Sequence, residues 1–259
     1  MQIDLSGKVA IVTGGGKGIG KEILFKLARE GVYSVAIDVS QPDLYDVADE
    51  FANEGLQGTQ FICDIRDSER IAEVVDQVVK KYGRIDILIN NAGVTGDGPV
   101  ETLSEETWDF CLDVNLKGTF LMCKAVAPIM KTQKSGRIIN TASFAAIIPT
   151  INGSAYGASK SGVRHFTRVL AGELGPWGIT VNCYAAGMVP STLNGFAELP
   201  EDQQNRLLDT LTIRKWGEKE DIANLICFLS SDAAGYITGT MIDISGGKYA
   251  TQFPGNAYK

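Results

Sequence analysis

The chain has 259 residues, 44% of them hydrophobic and 21% charged, with a formal net charge of −7. That balance suits a soluble chain folded around one extended core, and no run stays apolar for the roughly 18 residues that a membrane span needs. An acidic chain without a basic cluster is a poor match for a nucleic-acid backbone, and a single histidine argues against a His-rich metal site or a histidine-centred triad.

The cysteines Cys63, Cys111, Cys123, Cys183 and Cys227 are scattered, odd in number and never spaced C-x-x-C, which predicts reduced thiols and a cytoplasmic setting. The N-terminal stretch MQIDLSGKVAIVTGG lacks the basic and then apolar order of an export signal, so none is expected. His165 reads as an ordinary or interfacial helix residue.

In chain order the strand candidates are KVAIVT from Lys8, SVAID to Asp38, TQFICD to Asp64, IDILIN from Ile85, GRIINTAS from Gly136 to Ser143, ITVNCYA from Ile179 and TMIDIS from Thr240. Their nearly continuous apolar, β-branched character predicts strands buried on both faces. Helix-like stretches alternate with them, such as Ile19 to Glu30 and Ser68 to Tyr82, with apolar residues three and four apart. The expectation is one α/β domain over residues 1–259, with a parallel sheet between two helix layers. The rhythm breaks from Met188 to about Gly217, where Pro190, Asn194, Gly195 and Pro200 lead into a short helix. This stretch is read as a substrate flap, because it follows a strand end, where such sheets bind ligands.

Directly after the first strand runs Thr13-Gly14-Gly15-Gly16-Lys17-Gly18-Ile19-Gly20. A strand, a glycine turn and a helix N-terminus aim backbone N–H groups and the positive end of a helix dipole at a pyrophosphate. The spacing is not G-x-G-x-x-G, and a plain tight turn is the lesser alternative; the position after the first strand makes cofactor binding the better reading. Asp38, at the end of the second strand, stands where an acid accepts hydrogen bonds from an adenosine ribose and repels the 2′-phosphate of NADP. Lys17 argues the other way, since a cation there would attract that phosphate; Asp38 outweighs it, and NAD is expected ahead of NADP. Asp64 is a weaker candidate for the adenine edge, with helix capping as its ordinary alternative.

Chance alone would supply about half a Tyr-x-x-x-Lys pair in a chain of this composition, so Tyr156 and Lys160 gain meaning only from context. They lie in Ser154-Ala155-Tyr156-Gly157-Ala158-Ser159-Lys160, on one face of a helix that follows the strand ending at Ser143. A phenol with a pKa of about 10 is a poor base at neutral pH, but a cation about 4 Å away is worth about 4 kcal/mol at intermediate dielectric. Lys160, helped by a positive nicotinamide ring, is therefore expected to hold Tyr156 as a phenolate that takes the alcohol proton, while Ser143 fixes the substrate oxygen.

With the glycine turn, Asn90-Asn91-Ala92-Gly93, Ser143 and Tyr156-Gly157-Ala158-Ser159-Lys160 in this order, the chain resembles the short-chain dehydrogenase/reductase family over nearly its whole length. The resemblance implies a doubly wound parallel sheet of seven strands. It also implies a homotetramer or homodimer joined through the helices of Asn115 and Tyr156. Asn115 would join Ser143, Tyr156 and Lys160 as a catalytic residue, holding a water that links Lys160 to solvent. Asn91, with Ala92 and Gly93, would support the central strand beside the cofactor. The cofactor set is completed by Gly14, Lys17, Gly18, Ile19, Gly20, Asp38, Asp64 and Ile65, with Tyr156 and Lys160. In Ala185-Ala186-Gly187-Met188-Val189-Pro190-Ser191-Thr192, alanine at 186 replaces the family's usual proline, and nicotinamide contacts fall to Gly187, Val189 and Ser191.

The residues expected around the substrate are Thr95, Phe144, Ile147, Ile148, Tyr184 and Met188, none of them charged. This favours a neutral secondary alcohol or ketone, polyols and sugars included. Arg214 lies beyond the flap. A 3-oxoacyl carrier-protein reductase using NADPH is the nearest alternative, but Gly172 stands before Glu173 where such enzymes carry a carrier-docking cation. A non-catalytic dinucleotide-binding scaffold or sensor is the alternative of another class; the complete set Asn115, Ser143, Tyr156 and Lys160 argues against it.

Overall fold

Buried β-branched runs become seven parallel strands in a computed structural model that describes residues 3–191, 194–251 and 253–258. The strands are β1 Val9–Thr13, β2 Tyr33–Asp38, β3 Gly58–Ile62, β4 Ile87–Asn90, β5 Gly136–Thr141, β6 Ile179–Ala186 and β7 Met241–Ile244. The helices are α1 Gly18–Arg29, α2 Gln41–Glu54, α3 Ser68–Tyr82, α4 Glu105–Leu112, α5 Thr119–Gln133, α6 Ser154–Leu174, α7 Glu201–Leu208 and α8 Lys219–Ser230. The sheet order is β3-β2-β1-β4-β5-β6-β7, so the chain winds outward from β1 in one direction and then, from β4, in the other. The reversal between β1 and β4 opens a crevice at the carboxyl ends of these strands, the usual ligand site of such a sheet.

Strand alternation feeds two cores. Ala10 and Val12 of β1 face α1, α2 and α8 through Leu24, Leu27, Phe51 and Ile226, whereas Val9 and Ile11 face α3, α5 and α6 through Val75, Met130 and Leu174. Each such fully buried Val, Leu, Ile, Phe or Met side chain contributes about 1.5–3 kcal/mol. Local signals set the helix ends: Asp67 accepts hydrogen bonds from Glu69 and Arg70 N–H, and Gly83 ends α3 in the left-handed conformation.

Three boundaries differ from expectation in ways that matter. β5 stops at Thr141, and Ser143 leaves the sheet to open a one-turn helix at Phe144–Ala146. Asn115 lies in a π turn, Asp113–Gly118, between α4 and α5, rather than in a regular helix. β6 runs on through Ala186, which pairs with Ile244 of β7; proline could not donate to that ladder. Among the described residues no helix is long and apolar enough to cross a membrane.

Candidate active site

The glycine turn is a close approach of two strand ends. Gly14 has φ +64°, and a Cβ on Gly20 would overlap the Gly14 carbonyl and the Asn91 side-chain amide, so only glycine fits. Thr13 Oγ1 accepts from both Asn91 N (3.0 Å) and Ala92 N (3.1 Å), and Asn91 Nδ2 donates to Thr13 O at 3.1 Å and Gly14 O at 3.3 Å. Lys17 opens α1 without a side-chain cap, which leaves the first N–H groups facing the turn. Gly18 and partly buried Ile19 continue into the helix, with φ +60° at Gly18. A cradle that admits no Cβ, below an uncapped helix N-terminus, fits a pyrophosphate. Asp38 lies beside it, Oδ2 accepting from Gly16 N (3.0 Å) and Oδ1 from Ser40 N (3.1 Å).

Two expected cofactor residues are engaged elsewhere. Asp64 binds Arg66 through several contacts of 2.5–3.0 Å, and the guanidinium holds its carboxyl below the usual range. Ile65 is buried against Gly118, leaving its backbone as the part that can meet a ligand.

The acid–base groups meet where β4, β5 and α6 converge. Lys160 is buried, its Nζ donating to Thr141 O at 2.8 Å and standing 5.7 Å from the centre of the Tyr156 ring. A Cβ on Gly93 would lie 3.1 Å from Asn115 Oδ1 and 3.4 Å from Lys160 Nζ, so the end of the Asn91-Ala92-Gly93 loop touches both. The Asn115 amide is fully employed: Oδ1 accepts from Val94 N (2.8 Å), while Nδ2 donates to Val94 O (2.9 Å) and Ser159 Oγ (3.0 Å). It braces the loop after β4 against α6.

Burial bears on the phenolate expected at Tyr156. Burial pushes the Tyr156 phenol above its ordinary value, the Ser143 hydroxyl pulls it back, and Lys160 is not among the groups that lower it. Lys160 is itself lowered to about 8 by burial. A desolvated ammonium carries its charge at a penalty, so the burial of Lys160 and of Tyr156 both work against a phenolate.

Phe144, partly exposed, and the exposed Ile147 and Ile148 form an apolar rim beyond Ser143, with exposed Thr95 on the loop after β4. Tyr184 does not belong to the rim: it is fully buried, and its hydroxyl accepts from Thr141 Oγ1 at 2.9 Å. Its β6 position turns it into the core, from where it supports the strand that carries the Lys160 contact. Met188 is also buried, and with Gly187 and Val189 it lines a cavity of about 410 Å³ bounded by Leu211, Trp216 and Ile222. Asn115, Ser143, Tyr156 and Lys160 do not line that cavity, so converging polar groups rather than empty volume mark the candidate site.

Asn194 pins the start of the flap, its Oδ1 accepting from Ser191 N and Phe196 N and its Nδ2 donating to Val189 O. Thr192, within the expected flap, lies outside the described residues. Arg214 turns onto Asp209 and Asn205. Lys248, from the chain after β7, donates to Thr210 Oγ1 (2.8 Å) and lies 5.0 Å from the Phe144 ring centre, tying flap to rim.

The short chain dehydrogenase model matches residues 8–202. The chain belongs to the short-chain dehydrogenase family. The 3-oxoacyl-[acyl-carrier-protein] reductase of Thermotoga maritima is 39% identical over 245 residues, 94% of this chain and 98% of that one. The (2S)-[(R)-hydroxy(phenyl)methyl]succinyl-CoA dehydrogenase subunit BbsD of Thauera aromatica is 39% identical over 94% of this chain and 97% of its own. Among solved structures, a levodione reductase matches with TM-score 0.91 and 32% identity over 95% of this chain and 99% of its own. An NAD+-bound xylitol dehydrogenase matches with TM-score 0.89 and 30% identity over 93% and 99%.

This short-chain dehydrogenase is thus an NAD(P)-dependent oxidoreductase of alcohol and keto groups. Sequence reading placed Thr13 in the glycine turn and Asn194 in the flap without a site role for either, and missed Lys248. The Asn194-Gly195 turn signal marks the flap but not the contacts Asn194 makes, and nothing local shows the long-range contacts of Thr13 or Lys248.

Proposed function

We propose that this dehydrogenase moves hydride between NAD and a neutral secondary alcohol or its ketone, with Tyr156 as general acid and base. The supporting observation is the convergence of Ser143, Tyr156 and Lys160 with the Gly93–Asn115 contact, at the strand ends that also carry the glycine cradle. The nicotinamide supplies or accepts the hydride. In reduction Ser143 orients the carbonyl oxygen and the neutral Tyr156 hydroxyl donates its proton, which Lys160, lowered to about 8, can replace. Oxidation reverses the path and requires the phenol to be deprotonated first. The Asn115 amide is committed to Val94 and Ser159, and its main-chain oxygen accepts from Thr119 Oγ1 at 2.8 Å, so a relaying water would use the second lone pair of that oxygen.

The NAD preference rests on Asp38. The rim of Phe144, Ile147 and Ile148 favours an uncharged substrate body. We further propose a single functional unit covered by the flap at 188–217, in a cytoplasmic homotetramer or homodimer. Exposed Phe110, Phe120 and Val169 on α4, α5 and α6 supply apolar surface for such contacts, near the exposed His165. The second reading, an NADPH-linked 3-oxoacyl carrier-protein reductase, is favoured by the Thermotoga maritima relative; the net charge of −7 and Gly172 oppose it.

The test is a spectrophotometric screen of NAD and NADP against secondary alcohols, polyols, ketones and a 3-oxoacyl thioester. Greater activity with the thioester and NADPH would reverse the order of the two readings. Tyr156→Phe is expected to lower turnover at least about a hundredfold while NADH binding stays within about twofold of wild type; near-normal turnover would defeat the mechanism.

A further inference from the structure

Asp38 and Lys17 make opposite demands on an adenosine ribose, since the carboxylate repels a 2′-phosphate and the ammonium attracts it. A third residue lies between these demands. Asp43, in the first turn of α2, places Oδ2 3.4 Å from Lys17 Nζ. That oxygen is shielded from solvent and has no hydrogen-bond partner among the described residues, so the pair is a charge contact without hydrogen-bond alignment. The position is held on both sides. Asp43 N donates to Ser40 Oγ at 3.4 Å, and Ser40 N donates to Asp38 Oδ1 at 3.1 Å. Gly16 sits between the two acids: a Cβ there would lie 2.9 Å from both Asp38 Oδ2 and Asp43 Cβ.

We propose that Asp43 is a cofactor-specificity residue: it holds Lys17 toward α2 and adds a second carboxylate beside Asp38, so that Lys17 does not serve a 2′-phosphate and NAD is selected. The proposal rests on the reading of the Gly14–Gly20 turn as the dinucleotide site. A first-turn acid also complements a helix dipole. That role would need neither the Lys17 contact nor an oxygen left without a hydrogen bond beside the ribose acid. Lys17 is 62% exposed, so the ion pair is a modest latch rather than a lock. Its release is worth up to about fivefold in affinity, and loss of the Asp43 charge adds in the same direction.

The experiment measures NADH and NADPH dissociation constants by nicotinamide fluorescence, without substrate, for wild type, Asp43→Asn, Lys17→Ala and the double variant, each checked for folding by circular dichroism. Asp43→Asn is expected to shift the NADPH/NADH affinity ratio about fivefold or more toward NADPH. Lys17→Ala alone is expected to move the ratio less than about twofold, yet in the Asp43→Asn background to remove the part of the gain that the freed ammonium supplies. An unchanged ratio in Asp43→Asn, or a gain undiminished by removal of Lys17, overturns the latch. Wild type that binds neither dinucleotide overturns the site reading itself, whereas intact NADH binding with no shift overturns only the role of Asp43.

Discussion

Lys160 is the residue where burial and chemistry pull in opposite directions. Its ammonium is out of solvent with the Thr141 carbonyl as partner, and burial lowers it from 10.5 to about 8. Between these values the unfolded chain holds a proton that the native lysine has shed, so stability rises as pH climbs through this window. The charging penalty is full below pH 8 and gone above 10.5, amounting to about 3 kcal/mol. Wild type should therefore gain up to about 3 kcal/mol relative to Lys160→Met between pH 7.5 and 10.5, read by urea denaturation. A flat difference across that range would mean the lysine is not desolvated. The proton traffic at Tyr156 depends on the same burial, which is why its direction was not readable from the four-residue spacing alone.

At the level of elements, the strand–turn–helix of β1 and α1 carries the strictest local demand. Gly20 has no room for a methyl group against the Gly14 carbonyl and Asn91. Gly20→Ala should open the turn, costing about 1–3 kcal/mol of stability and weakening NADH at least about tenfold. Fluorescence titration measures the second effect, and affinity equal to wild type would show that the cradle tolerates displacement. α3 was legible to the residue because Asp67 caps it and Gly83 ends it, both signals lying beside the helix in sequence. Ser143 and Asn115 were harder. Their residues have ordinary strand and helix patterns, and packing of α6 on the sheet coincides with Ser143 outside β5 and Asn115 in a π turn.

Across the whole molecule, a buried polar ladder ties the working strands together. Asn90 Nδ2 donates to Asn140 Oδ1 at 2.8 Å, Asn140 Nδ2 donates to Thr167 Oγ1 at 3.0 Å, and Thr167 Oγ1 donates to Val163 O at 2.8 Å. β4, β5 and α6 are thereby registered, and with them Gly93, Ser143 and Lys160. Asn140→Ala removes the Asn90 amide's oxygen acceptor, leaving it Cys123 Sγ, and the donor to the Thr167 hydroxyl, which keeps only Val163 O, and should cost about 1–3 kcal/mol, measured by urea denaturation. A change below about 0.5 kcal/mol would mean that the ladder adds nothing to the packed sheet.

From its sequence by itself, this protein's strand and helix order, the glycine turn, Asp38 and the Tyr156–Lys160 face were determined, because periodicity, caps and glycine sterics act between near neighbours in the chain. Tertiary structure alone decided which distant groups meet: Thr13 with Asn91 and Ala92, Lys17 with Asp43, and Lys248 with Phe144. It also moved Tyr184 from the expected rim into the core and buried Tyr156 so that its phenol is pushed above its ordinary value. The reason is physical. Sheet order sets which strand ends converge, and the depth of burial sets the free energy of every charge held there.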